Sequence, residues 1–367
     1  MTVLADPTRD LMAWLEGAAL PLWWQKGADR LHGGFHDALD DHGEPVATNR
    51  RARVQARQVY VYATAGALGW DGPWREAIGH GLDFFLQRFQ RSDGLFRAVV
   101  APDGSPLDDN AWLYDQAFAL FAMAQATRAM PGRTDLVELA RALRSRLEAW
   151  RWPEGGFREP PAAYDHQSNP HMHLLEASLA WAEIDPDPVW SATADQIVAL
   201  AMSRFIDAND ALHEFFGPEW RFADGVDGRI VEPGHQFEWA WLLERWARLR
   251  GREDAHEAAV KMFAVGQAGV DRRRGVANQQ MLDDGVLHDG VARLWPQTEW
   301  IKAAVILGDD AAAMAGIAGL KLYFDKPVQG LWWDKLKPDG SFVAEPAPAS
   351  SFYHIVCAIA ELKAAAG

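Results

Sequence analysis

The sequence predicts an all-α protein, a closed (α/α)6 barrel of six helical hairpins with short β-hairpins in the loops over one face. Three observations predict it. Aromatic–glycine turns recur at a nearly fixed spacing. Helices with one apolar stripe alternate with helices that are apolar on most sides. The second kind begins each time with a run of polar residues.

The turns read Gly33-Gly34-Phe35-His36-Asp37, Asp93-Gly94-Leu95-Phe96 and Gly155-Gly156-Phe157-Arg158. Weaker copies follow at His213-Glu214-Phe215-Phe216, Arg274-Gly275-Val276 and Gly330-Leu331-Trp332-Trp333-Asp334. From Gly34 to Leu95, Gly156, Phe215, Gly275 and Leu331 the steps are 61, 61, 59, 60 and 56 residues. So regular a period marks a repeated supersecondary unit.

In each unit a charge-bearing helix, such as 75–90 or 192–205, leads into the turn. Second turns such as Asp40-Asp41-His42-Gly43 and Pro338-Asp339-Gly340 predict small β-hairpins. An apolar helix then ends the unit, at 59–68, 113–126, 173–181, 237–246, 300–307 and 352–362. A helix apolar on most sides must be buried, and one with a single stripe lies outside it. Six outer and six inner helices close a ring, and with no Pro-, Ser- or Gly-rich linker the chain reads as one domain over 1–367. The inner helices point their N-termini, with unpaired N–H groups and positive dipole ends, at the face carrying the loops. That face is the expected place for a site.

Composition narrows the function. The chain has 367 residues, 49% of them hydrophobic, enough for a sizeable core, and a formal net charge of −15. An acidic surface argues against nucleic acid, whose phosphates need clustered Lys and Arg, and against an anionic membrane. No run reaches the roughly 18 uncharged apolar residues of a membrane span. Residues 1–10 lack the charged-then-apolar pattern of a secretory leader. Cys357 is the one cysteine, which leaves no intrachain disulfide and no multi-cysteine metal site, and a cytoplasmic location is the expectation. Most of the 18 tryptophans are expected to pack between helices, the rest to offer flat faces to a sugar.

The chemistry is expected at the starts of the inner helices. These carry Arg53 to Tyr60, Tyr114-Asp115-Gln116, Asn169-Pro170-His171-Met172-His173, Pro233-Gly234-His235-Gln236-Phe237-Glu238, Trp295-Pro296-Gln297-Thr298-Glu299, and Ser351-Phe352-Tyr353-His354. Prolines 170, 233 and 296 suit helix starts, where a missing N–H costs little. Polar groups at repeat-equivalent positions converge on one axis when the ring closes. Burying Arg57, His173, His235, Glu238, Glu299 and His354 together is costly unless it serves chemistry.

His235 and Glu238 stand three apart on one helical face, so the carboxylate is expected to accept the histidine N–H and fix its tautomer. His354 is expected close by, across the closing seam. Two histidines facing one substrate suit proton removal and return near neutral pH. Arg57 is a permanent cation able to hold a sugar oxygen and an enediolate. His171-Met172-His173 and His235 with Glu238 raise the question of zinc. His-Glu-x-x-His is absent, however, and His171 and His173 point to different helix faces, so no metal is expected. His32, His36, His42, His80, His166, His213, His256 and His288 read as loop or surface residues. Phosphate-binding glycine loops are absent.

These residues resemble the N-acylglucosamine 2-epimerase superfamily, which includes cellobiose 2-epimerases, mannose isomerases and sulfoquinovose isomerases. The likeness covers essentially the whole chain. It rests on Gln55-Ala56-Arg57 with Tyr60, Asn169-x-x-Met172-His173-x-x-Glu176-Ala177, His235-x-x-Glu238-Trp239, Trp295-Pro296-x-x-Glu299 and Tyr353-His354. The resemblance implies an (α/α)6 barrel with neither metal nor redox cofactor. It implies His235 and His354 as the acid/base pair and Arg57 as the holder of the oxygens near C1 and C2. Asn169, His173, Glu238 and Glu299 would complete a polar pocket lined by Tyr114, Asp115 and Trp295.

The chain departs from the family pattern at Arg53, where many members have an aromatic residue, and at Asp115-Gln116, where many have Asp-His. Arg53 would answer an anionic sugar or pair with a nearby carboxylate. The expected activity is metal-independent interconversion of D-mannose and D-fructose, or of a related hexose, through a cis-enediolate. A sugar 2-epimerase, an isomerase of a phosphorylated or sulfonated hexose, and an (α/α)6 glycoside hydrolase are the alternatives. The expected partner is a monosaccharide, and the sequence admits a homodimer.

Overall fold

The computed structural model describes residues 3–159 and 166–366. Among the described residues twelve helical segments alternate between an outer and an inner layer. The outer ones are α1 (5–27), α3 (Trp74–Phe89), α5 (Asp135–Leu147), α7 (188–205), α9 (Glu253–Ala268) and α11 (Asp310–Leu322). The inner ones are α2 (Ala52–Leu68), α4 (Leu113–Ala129), α6 (Ser168–Ala182), α8 (Pro233–Arg250), α10 (Leu294–Leu307) and α12 (Ser350–Ala366). The inner helices start several residues earlier than their apolar runs, because their first turns carry the polar residues that face the site. Among the described residues no helix is long and apolar enough to cross a membrane.

The two layers differ as their sequences require. Outer α5 buries Leu136, Ala140, Leu143 and Leu147, a single stripe. Inner α4 buries every residue from Asp115 to Ala126. Each inner helix packs on the next, and α12 packs on α2 to close the ring. Tryptophans fill the space between helices: Trp23 stacks on Trp332 at 4.8 Å, and Trp181 on Trp190 at 5.3 Å.

Short strands over the site face differ from the expected local hairpins, since several join one repeat to its neighbour. Arg50–Arg51 pairs with Val99–Val100, His166–Gln167 with Phe215–Phe216, and Ala292–Arg293 with Lys335–Leu336. Ala38–Leu39 pairs with Ala347–Pro348, tying the first repeat to the last. Cross-repeat pairing satisfies the loop backbone and holds the loops as one rim.

A second device repeats beneath the rim. The side-chain amide of Gln55 accepts from Phe35 N and donates to Phe35 O, both at 2.8 Å. Gln116 does the same at Phe96, Gln236 at Leu212 and Gln297 at Ala277. In the third repeat His171 takes this place, its Nε2 accepting from Phe157 N at 2.9 Å. The glycine before the aromatic follows from the clamp. Gly34 has φ +70°, and a Cβ there would lie 2.4 Å from the Phe84 ring and 2.7 Å from Gln55 Oε1.

Candidate active site

The inner helices open at their N-terminal ends onto a cavity of about 290 Å³. His173, His235 and His354 all line it, as do Arg57, Glu238, Asn169, Tyr114 and Trp295. Eight of the eleven expected residues therefore share one hollow. The Trp295 ring lies 5.0 Å from that of His235 and 5.7 Å from that of His354. It is the only tryptophan among the lining residues; the rest of the wall is mainly polar.

The two histidines stand in opposite electrostatic settings. His235 Nδ1 lies 2.9 Å from Glu214 Oε2 and 3.4 Å from Glu232 Oε2. Burial works against a charged ring, but these two carboxylates outweigh it and lift the pKa to about 10. His235 is thus an imidazolium at neutral pH. His354 Nδ1 lies 2.8 Å from Glu299 Oε1. Glu299 also receives Lys302 Nζ at 2.6 Å. A carboxylate bound by an ammonium is an acceptor, so His354 carries its proton on Nδ1 and leaves Nε2 bare. Burial, with Arg57 and Lys302 nearby, holds the His354 pKa well below the usual value. Environments that drive two titratable groups apart in this way create an acid and a base.

Arg57 Nη2 donates to the Tyr114 hydroxyl at 2.7 Å, and the guanidinium lies 4.4 Å from the centroid of the Phe118 ring. Buried polar atoms are left for a ligand. Asn169 Oδ1, Glu238 Oε1, Glu214 Oε1 and Arg57 Nε make no hydrogen bond to any described residue. Such groups are costly to bury unless something else satisfies them.

Several expectations are corrected. Glu238 does not hold His235, because Nδ1 of that ring turns outward to Glu214, on the turn between α7 and α8. Glu238 Oε1 sits 4.0 Å from His173 Nδ1 instead. Burial and the neighbouring Glu299 push its carboxyl up to about 8, so it is protonated at neutral pH. Glu299 lies behind the cavity wall, committed to His354 and Lys302. Asp115 is fully buried, 3.2 Å from Arg53 Nε, and also stands outside the cavity. Burial pushes its carboxyl up to about 6 despite the arginine. Arg53 lines an adjoining depression with Trp112 and Glu159 rather than the main cavity. His166 and His213, read as loop or surface residues, are buried. His213 bonds Gly228 O at 2.7 Å and Asp207 at 3.2 Å.

Sequence reasoning missed Glu214, Glu232, Lys302, Gln279 and Arg293. Glu214 lies within the fourth aromatic turn, whose spacing pointed to structure. Lys302 follows Glu299 by three residues on an apolar helix, a visible buried ion-pair pattern. His171 and His173 do face different ways, the first to the Phe157 clamp and the second to the cavity and to Glu176, 3.3 Å away.

A model of the family described as N-acylglucosamine 2-epimerase (GlcNAc 2-epimerase) matches residues 33–358. The chain belongs to that family and is a sugar isomerase or epimerase. It is 48% identical to a "Mannose-6-phosphate isomerase" of Rhizobium meliloti (strain 1021), over 96% of both chains. It is 31% identical to a "D-mannose isomerase" of Thermobifida fusca, over 89% of this chain and 87% of that one. Among solved structures, a D-mannose isomerase superposes with a TM-score of 0.87 at 19% identity, over 97% of each chain, which shows the shared barrel.

Proposed function

We propose that the protein interconverts D-mannose and D-fructose by moving one proton between C2 and C1. The observation that carries this is the pair of histidines on one cavity in opposed settings, His235 against the carboxylates of Glu214 and Glu232 and His354 against a glutamate already bound by Lys302. His354 Nε2 removes the C2 proton of the open-chain aldose. His235 gives a proton to the carbonyl oxygen O1, and a cis-enediol forms. His354 then returns its proton to C1 while O2 gives one back to His235, and the ketose carbonyl closes at C2. Arg57, aimed at the same space, stabilises negative charge on O1 and O2 as it develops. Asn169, Glu238 and His173 hold the remaining hydroxyls. The cavity volume suits a single hexose.

Incubation of mannose with the protein in D2O tests the reading. Fructose carrying deuterium at C1 is expected. Sugar recovered without deuterium and without conversion would refute proton transfer. Glucose carrying deuterium at C2 would instead make the protein a 2-epimerase.

A phosphorylated substrate is the second reading, favoured by the name of the Rhizobium relative. The geometry favours the free sugar. Arg293, on the cavity wall, already neutralises Asp334 at 3.0 Å, and Arg53, which lies 3.2 Å from Asp115, lines the adjoining depression rather than the main cavity. Comparing kcat/KM for mannose and mannose 6-phosphate decides between them.

A further inference from the structure

The proton transfers above leave a buried ammonium beside the site unused. Lys302, on α10, is fully buried one layer below the cavity, its Nζ 2.6 Å from Glu299 Oε2 and 3.8 Å from the centroid of the Trp241 ring. Glu176 on α6 adds to its electrostatic hold. The donor atoms of His173, Glu176 and Glu238 lie within 4.8 Å of one another, as do those of Glu238, Glu299 and His354. So many acceptors crowded together call for a cation, and the chain supplies one covalently in the Lys302 ammonium.

We propose that Lys302 is the resident cation of this site, a positioning residue that holds Glu299 as a charged acceptor against His354 Nδ1, so that Nε2 of His354 meets the sugar unprotonated. The inference rests on His354 being the base. Its geometry is a relay through one carboxylate. Lys302 Nζ donates to one oxygen of Glu299, and His354 Nδ1 donates to the other, at 2.8 Å. The groups around His354 act in both senses. Arg57 from α2, Lys302 from α10 and His173 from α6 oppose a second proton on the ring, and Glu176 favours one. Glu238 and His235 of α8 and Tyr353 of α12 complete its surroundings. Removing Lys302 deletes one of the opposing charges and frees one oxygen of Glu299.

The test is the pH dependence of kcat/KM for mannose in wild type, Lys302→Met and Lys302→Gln. The glutamine can still donate to Glu299 but carries no charge. In both variants the acidic limb, where His354 takes up its proton, is expected to rise by roughly one pH unit or more. The alkaline limb, set by His235, is expected to stay in place. An acidic limb that does not move in a folded variant overturns the proposal, because a lysine that only fills space moves neither limb. A second measurement needs no variant to fold. In histidine-labelled wild-type protein, 15N resonances of His354 should show a neutral ring with Nδ1–H at pH 6. A doubly protonated His354 at that pH overturns the proposal. Absence of both conversion and deuterium incorporation in wild type would remove the isomerase reading instead, and the NMR result stands without turnover.

Discussion

At the scale of residues, the site is a set of charges separated by their neighbours. His354 must be neutral to accept a proton, so the rate falls as pH drops through its depressed pKa. His235 must be charged to give one, so the rate falls as pH rises through about 10. The expected kcat/KM profile is therefore flat through neutrality, with an alkaline limb near that value. Replacing either ring by asparagine removes a proton carrier and should lower kcat by about 10²- to 10⁴-fold. Two glutamates separate the roles further. Glu214→Gln deletes the carboxylate nearest His235 and should bring the alkaline limb down towards neutrality. Glu238→Gln replaces a carboxyl already protonated at pH 7 and should cost less than about tenfold there, the worth of one neutral hydrogen bond. An alkaline limb unmoved in Glu214→Gln would show that Glu214 does not govern His235. At this scale the sequence was half legible. Arg57, His235 and His354 stood out because equivalent positions of a repeat must meet at the axis. The partners of His235, Glu214 and Glu232, come from the connection between α7 and α8, where hydrogen-bonding reach depends on loop shape that spacing does not encode.

At the scale of elements, the repeat is held by side-chain amides reading the backbone. Gln55, Gln116, Gln236 and Gln297 each satisfy one N–H and one C=O of a buried turn. This explains Gln116 in the Asp115-Gln116 departure: it is a clamp, equivalent in role to His171 in the third repeat. Gln55→Ala leaves Phe35 with two unpaired buried groups and should destabilise the protein by about 2–5 kcal/mol. Melting followed by circular dichroism should show Tm lower by about 3–6 °C. Gly34→Ala should act in the same direction, since its φ of +70° and the 2.4 Å approach to Phe84 both oppose a side chain. A Gln55→Ala protein that melts with wild type would mean that solvent replaces the clamp. The turns themselves were legible, because glycine and aromatic residues recur at fixed offsets. The clamps were not, because a glutamine early in a helix is equally suited to face solvent.

At the scale of the whole molecule, ring closure decides both stability and chemistry. In an open array of helical hairpins each repeat leans on its neighbours in sequence, and trimming the end removes a local increment. Here the last inner helix packs against the first, Gln58 Nε2 donates to Ala349 O at 2.9 Å, and Ala38–Leu39 pairs with Ala347–Pro348. The period and the alternation of helix types foretold this closure. They did not show that the loops of adjacent repeats would be stitched by strands, since such pairs are too short to leave a two-residue periodicity. Closure also brings His354, from the last helix, to the same hollow as Arg57, from the first. Removing residues 350–366 therefore does more than delete one catalytic group. It strips the apolar sides of α2 and α10 of their cover and opens the ring at its seam. The expected outcome is loss of the cooperative thermal transition and binding of a hydrophobic dye at ambient temperature. Retention of one sharp transition at a modestly lower Tm would show that the hairpins stand as a linear array, with the seam contributing only locally.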